Sequence, residues 1–239
     1  LVKDKSKFRI LDNSGNNSNR WAAFNIETIS GYHPAKISIY NDLLNKVNEK
    51  GYYSVGLLQM LNIKYIIHNQ FGEISNFKYI DKMKMNYFDL HGLSNGNSID
   101  TYIYQNKNYI ERLFFTEEII LVNSNKKIIN NLISDDFNPK KTSYINKNNL
   151  TEKQFVLVKD LEFDGSSIVE LLDWNPNEIK FRTNTLKPQL LILSEINYPG
   201  WEINKVINII EINGMFRGII VPQGENEYVM KFKPWDIRA

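Results

Sequence analysis

Residues 190 to 235 constrain the fold more than any other part of this chain, because they read as a β-meander. Strand-like runs at 190–196, 207–212, 218–221 and 228–233 are separated by residues that turn a chain. In the corner Tyr198-Pro199-Gly200-Trp201, Pro199 fixes φ and Gly200 can take an unusual dihedral. Asn213-Gly214 is followed by Phe216-Arg217-Gly218, and Pro222-Gln223-Gly224-Glu225-Asn226 makes a further turn. Upstream, 155–158, 168–172 and 178–182 are also strand-like, so the expectation beyond Lys153 is all β. Ile179 and Phe181 alternate with polar neighbours, as do Tyr228, Met230 and Phe232, which is the period of half-buried antiparallel strands. Seven short strands fit a sandwich.

The first half mixes periods. Phe8 to Leu11 is a short apolar run that ends in an Asn/Ser/Gly-rich loop at 12–19. After Gly31-Tyr32-His33-Pro34, the residues Ile37, Tyr40, Leu43, Leu44 and Val47 recur at helical spacing, and Pro34 suits a first turn. Val55, Leu58 and Leu61 predict a second helix, passing at once into a β-like run at 64–68. Segments 77–80, 101–104 and 113–122 read as strands, Ile128 to Ile133 as a short helix, and 138–149 as a connecting loop. The expected architecture is therefore α+β: an N-terminal mixed α/β part, residues 1–150, packed on a C-terminal antiparallel β-sandwich (jelly-roll-like) module, residues 151–239.

Composition narrows function mainly by exclusion. At 239 residues, 42% apolar and 23% charged, the chain can bury a core of ordinary globular kind. A net charge of +2, concentrated nowhere, argues against nucleic acid as a partner. Asn, Ile and Lys number 32, 31 and 23; all three have AT-rich codons, so a single Lys or Asn carries little weight. The lack of cysteine removes disulfides, thiolate zinc sites and a thiol nucleophile, and leaves the compartment open. No window approaches the roughly 20 apolar residues of a membrane span. The start at Leu1, with no methionine and no signal-peptide core, reads as an excised fragment.

Each residue that could bind a ligand also has a plainer structural role. His33 could donate to a sugar hydroxyl or a phosphate with Tyr32 as a stacking face, or it could cap a helix start. Trp201 could form a sugar platform, or anchor a strand corner in the core. Arg217 could hold a phosphate, or pair with a carboxylate such as Glu195. Glu117-Glu118 and Asp135-Asp136 are sequence neighbours whose side chains diverge, which suits solvent better than acid–base work. Ser166-Ser167 lacks a nucleophile-elbow context, and Lys126-Lys127 and Lys140-Lys141 are too short for a basic patch. Three scattered histidines show no metal spacing, and no cofactor motif is present.

Several segments carry a resemblance when taken together and in order. They are Phe8-Arg9-Ile10-Leu11-Asp12, Ser30 to Lys36 with Tyr40, LLQMLNIKYII at 57–67, YIYQNKNYIERLFF at 102–115, NPNEIKFRT at 175–183, and the 190–235 meander. Spanning nearly the whole chain, they resemble the large extracytoplasmic region of the YfhO-like bacterial polytopic membrane proteins. Glu111 stands where that family usually has proline before arginine, and the stretch after Trp201 is shorter and lacks an Asp-Gly turn. The resemblance implies a parent similar to multi-spanning glycosyltransferases of the GT-C class, which use a polyprenyl-phosphate sugar on the outer membrane face and modify cell-surface polymers. In that class the catalytic carboxylates lie in N-terminal loops between membrane helices, outside this sequence, so none is carried over. The implied role is non-catalytic: a scaffold, or an acceptor- or carbohydrate-binding domain on the extracytoplasmic face of the bacterial membrane. Its implied partners are its own transmembrane domain and a polyprenyl-phosphate sugar or surface polymer. The β-half alone also allows a stand-alone carbohydrate-binding or adhesin-like module. A soluble hydrolase would need a carboxylate pair or triad, and the sequence offers neither.

Overall fold

A computed structural model of the chain describes residues 1, 3–15, 19–29, 37–88, 94–204 and 209–234. It divides into two compact units that interleave in sequence: residues 1–37 with 58–111, and residues 38–57 with 112–239.

The first unit is built on a mixed sheet of β1 (Arg9–Asn13), β2 (Glu27–Thr28), β3 (Ile63–His68), β4 (Phe77–Phe88) and β5 (Ser94–Asn106). The spatial order is β2-β1-β3-β5-β4. β1 runs parallel to β2 and β3, while β5 runs antiparallel to β3 and β4. Alternation along the strands sends Ile10, Tyr65, Ile67 and Ile103 into one core with Phe8, Trp21 and Ile26. Ile66 and Tyr104, directly opposed in register, are buried on the other face.

Two helices, α1 (Ser38–Lys50) and α2 (Val55–Met60), lie between β2 and β3 in sequence. The expected step from helix to strand is present, and Asn62 makes it. Its backbone takes φ +60°, a region that asparagine tolerates better than most residues. Its buried side chain donates to the Tyr109 hydroxyl and to the Ile110 carbonyl, both at 2.9 Å.

The second unit contains β6 (Leu113–Phe115), β7 (Glu118–Val122), α3 (Asn125–Leu132), β8 (Thr142–Asn146) and α4 (Glu152–Lys159). It continues with β9 (Ile168–Asn175), β10 (Glu178–Thr185), β11 (Gln189–Ile196), β12 (Trp201–Ile203), β13 (Ile209–Ile212), β14 (Phe216–Val221) and β15 (Gly224–Phe232). Two antiparallel four-stranded sheets, β13-β14-β11-β6 and β12-β15-β10-β9, enclose one core. Leu113, Leu191, Leu193, Ile219 and Val221 of the first sheet meet Ile179, Phe181, Tyr228 and Met230 of the second. β11 is buried on both faces, since Leu190 and Ile192 are as inaccessible as Leu191 and Leu193, which is why its sequence is a continuous apolar run. The other face of the second sheet is charged, with Arg182 beside Glu170 and Glu227, Lys180 beside Asp173 and Glu178, and Lys233 beside Glu202. The chain is thus α+β, with a β-sandwich in its C-terminal part.

Several local expectations need correction. Residues 155–158, read as a strand, lie in α4, because Thr151 and Gln154 form a reciprocal capping box that commits the segment to helix. The loop expected at 138–149 contains β8, which pairs in parallel with β7. The single strand expected at 113–122 is two: β6 joins the sandwich and β7 pairs with β8. β12 is a strand that the Pro-Gly corner concealed. The boundary expected at residue 150 falls inside the second unit, between β8 and α4. Pro34 lies outside the described residues. Among the described residues, no helix is long and apolar enough to cross a membrane.

Candidate functional site

Of the four residues picked out as binding candidates, Tyr32 and His33 lie outside the described residues. The other two, Trp201 and Arg217, meet one another. Gly200, at φ +101°, turns the chain into β12 with its Cα side facing Phe232 and Pro234. That delivers the half-buried Trp201 indole to the edge of the sandwich core, tilted against Phe232 at 5.5 Å between centroids. The Arg217 guanidinium lies 4.1 Å from the Trp201 ring centroid, and its Nε donates to the Ile196 carbonyl at 3.1 Å.

A second pair of the same chemistry sits nearby in the same two sheets. Arg112 lies 4.9 Å from the Trp174 centroid and is ion-paired with Glu195. Leu193 of β11 stands in register between Leu113 on β6 and Arg217 on β14. A bulge between Leu193 and Ile196 displaces Glu195 from the ladder, and the Ser194 N–H donates to the Arg112 carbonyl at 2.9 Å. Glu195, a carboxylate expected beside Arg217, accepts from Arg112. Both arginines are 1–2% exposed. Their charge is spent on indole faces, a carbonyl and a carboxylate of the module itself, so this cluster ties the two sheets together and offers little to a solute.

A more open arrangement lies on the first unit, where sequence reading pointed to nothing. On the face opposite the Ile67 and Ile103 core, His68 stands directly across from Tyr102, and Tyr102 across from Lys82 of β4. Tyr79 stands across from Tyr104 in the neighbouring row. Phe71, from the β3–β4 loop, packs edge-on to Tyr79 at 5.3 Å and tilted to Tyr102 at 5.4 Å. Phe71 and Tyr79 are 67% and 43% exposed. The loop is pinned where it crosses the sheet: the Gly72 N–H donates to the Tyr104 hydroxyl at 3.1 Å, and the Gln70 N–H to His68 Nδ1 at 3.0 Å. A neutral imidazole that accepts at Nδ1 carries its proton on Nε2, so His68 has a donor to offer.

Lys82 and Asp100 complete this face, 2.7 Å apart, with the Lys82 ammonium 5.5 Å from the Tyr102 ring centroid. Each holds the other charged: Asp100 raises the affinity of Lys82 for its proton, and Lys82 holds the Asp100 carboxyl below the usual range. The only hint in sequence was Tyr102-x-Tyr104, which puts two rings on one face of a strand. Phe71, Tyr79 and His68 reach them through strand pairing and a loop, which periodicity does not reveal.

The remaining polar groups serve the fold. Asp12 accepts from Arg20, from the Trp21 indole at 2.6 Å and from Ser14, closing the loop after β1. Asp135 accepts from Lys50 and from the Tyr52 hydroxyl at 2.8 Å, and Lys50 also donates to the Ile133 carbonyl at the end of α3. Ser166 closes a turn on Asp164. Among the described residues, no three His, Asp or Glu side chains are grouped to hold a metal ion. Compared with protein-family models, with curated proteins and with solved structures, the chain matches none of them.

Proposed function

We propose that this chain is an extracytoplasmic domain of a YfhO-like multi-spanning membrane protein. The parent would transfer sugar from a polyprenyl-phosphate donor to a cell-surface polymer, and this portion would shape the acceptor side of the site or hold the carbohydrate. One observation carries the reading beyond the sequence likeness: the residues that bear the likeness are the joints of the fold. Asn62, of the Leu-Asn-x-Lys-Tyr step, is fully buried in a left-handed conformation. Asn106, of the Tyr-x-Asn segment, donates from a buried position to the Ile63 carbonyl at 3.0 Å. Arg112 of the following Arg-x-x element carries the Glu195 ion pair, and NPNEIKFRT forms the β9–β10 hairpin. A family that shares a domain architecture and keeps its chemistry elsewhere would preserve residues of this kind.

The test is the parent reading frame. Apolar spans of about 20 residues flanking this chain, several of them on the N-terminal side, are expected. A frame that encodes none defeats the reading and leaves the stand-alone carbohydrate-binding or adhesin-like module in its place.

A further inference from the structure

We propose that the outer face of the first sheet, formed by Phe71, Tyr79 and Tyr102 with His68, Lys82 and Asp100 at its rim, binds a neutral pyranose ring. The inference deepens the carbohydrate-holding role proposed above and rests on it for the setting in which such a ligand is met.

Two features show that the platform is built rather than left over. Phe71 is the most exposed of the large apolar side chains among the described residues of this unit, yet it is held by two other rings and by a loop whose Gly72 N–H donates to Tyr104. Exposed rings fixed in this way have already lost the freedom that binding would otherwise cost. The rim then selects the ligand. Lys82 and Asp100 neutralise each other, and Lys84, opposite Asp100 in register, adds an exposed ammonium beside them. What the face offers is a donor at His68 Nε2, hydroxyls at Tyr79 and Tyr102, and a donor–acceptor pair at Lys82 and Asp100. A pyranose has the complementary chemistry: an apolar C–H face for the rings, and hydroxyls that donate and accept together for the rim. A purely apolar ligand would leave the rim unused.

Saturation-transfer difference NMR on the 239-residue chain tests this, with methyl β-glucopyranoside, methyl β-galactopyranoside and tri-N-acetylchitotriose as probes and glucuronate as the anionic comparator. The expected result is transfer to the ring C–H protons of at least one neutral probe, weakened by about tenfold in Phe71→Ala and in Tyr79→Ala. Tyr198→Ala, which removes the exposed ring of the other aromatic corner, leaves it unchanged. Both test side chains are largely exposed, and an unchanged amide spectrum confirms the fold of each variant. No transfer to any neutral probe, transfer undiminished in both variants, or preference for glucuronate would each overturn the proposal. The two readings fail separately: membrane spans in the frame without sugar transfer defeat this one alone, and transfer in a chain whose frame has no spans defeats the parent assignment alone.

Discussion

Arg217 gives up almost all contact with water, and a cation does so only where other groups replace its solvation. Here an indole face and a backbone carbonyl contribute to that, and both rely on the flat, forked guanidinium. Arg217→Lys keeps the charge and loses that geometry, so we expect it to cost about 1–3 kcal/mol in urea unfolding. A loss below about 0.5 kcal/mol would mean that the stack contributes nothing beyond ordinary surface contacts. The sequence showed the arginine and the tryptophan but not their contact, which depends on two strands from opposite sheets.

Burial resists the ionisation of Asp4, yet hydrogen bonds from Lys64, Tyr65 and Ser6 overcome that and hold its carboxyl well below the usual carboxylate range. A carboxyl depressed in the folded state contributes stability above its unfolded value of 3.8, and that contribution drains away as pH falls below it. Unfolding followed between about pH 5 and pH 2 should therefore show a decline in stability that Asp4→Asn makes shallower. At pH 7 the variant should already be less stable by about 1–2 kcal/mol. Equal slopes in the two proteins would remove Asp4 as the cause.

At the scale of elements, α4 shows how apolar content misleads when caps are ignored. Phe155-Val156-Leu157-Val158 has the composition of a strand, but Thr151 and Gln154 satisfy each other's backbone and start a helix before those residues can pair. Only Val158 of that run is buried, so the cap matters more here than packing does. Thr151→Ala should raise amide exchange at Phe155 and Asp160 by roughly tenfold, the equivalent of about 1 kcal/mol, and leave β10 and β11 protected. β8 was hidden for the opposite reason. Its buried positions include Ser143 and Asn146 as well as Ile145, and the Asn213 side chain donates to the buried Ser143 hydroxyl. The Asn213-Gly214 turn, by contrast, was legible: both residues have positive φ, as the central positions of the turn from Ile212 to Met215 require, and the three residues 213–215 join β13 to β14.

At the scale of the whole molecule, the readable part was the class of fold, and the obscure part was where the chain divides. The alternating pattern beyond residue 165 announces antiparallel strands, and the sandwich follows from it. That pattern says nothing about strands arriving from far upstream, because β6 is three residues long and precedes β9 by a helix, two strands and another helix. Yet β6 supplies Leu113 to the sandwich core, forms one edge of its first sheet, and follows directly on Arg112, the partner of Glu195. β8 likewise supports the β13–β14 turn, since Tyr144 exchanges hydrogen bonds of 2.7 and 2.8 Å with Asn213. A fragment of residues 151–239 therefore lacks an edge strand, leaves Glu195 without Arg112, and strips the backing from the Asn213 turn. Leaving a buried polar group unsatisfied costs about 1–3 kcal/mol, and losing a core leucine costs about as much again, against a typical total stability of about 5–15 kcal/mol. That fragment should show poorly dispersed amide resonances and no cooperative thermal transition, whereas the full 239-residue chain, which keeps β6, β7 and β8 beside the C-terminal strands, should give a dispersed spectrum and a cooperative transition. A cooperative melt from 151–239 would show that the strand carrying Leu113 is dispensable, and that the C-terminal strands alone make the folding unit.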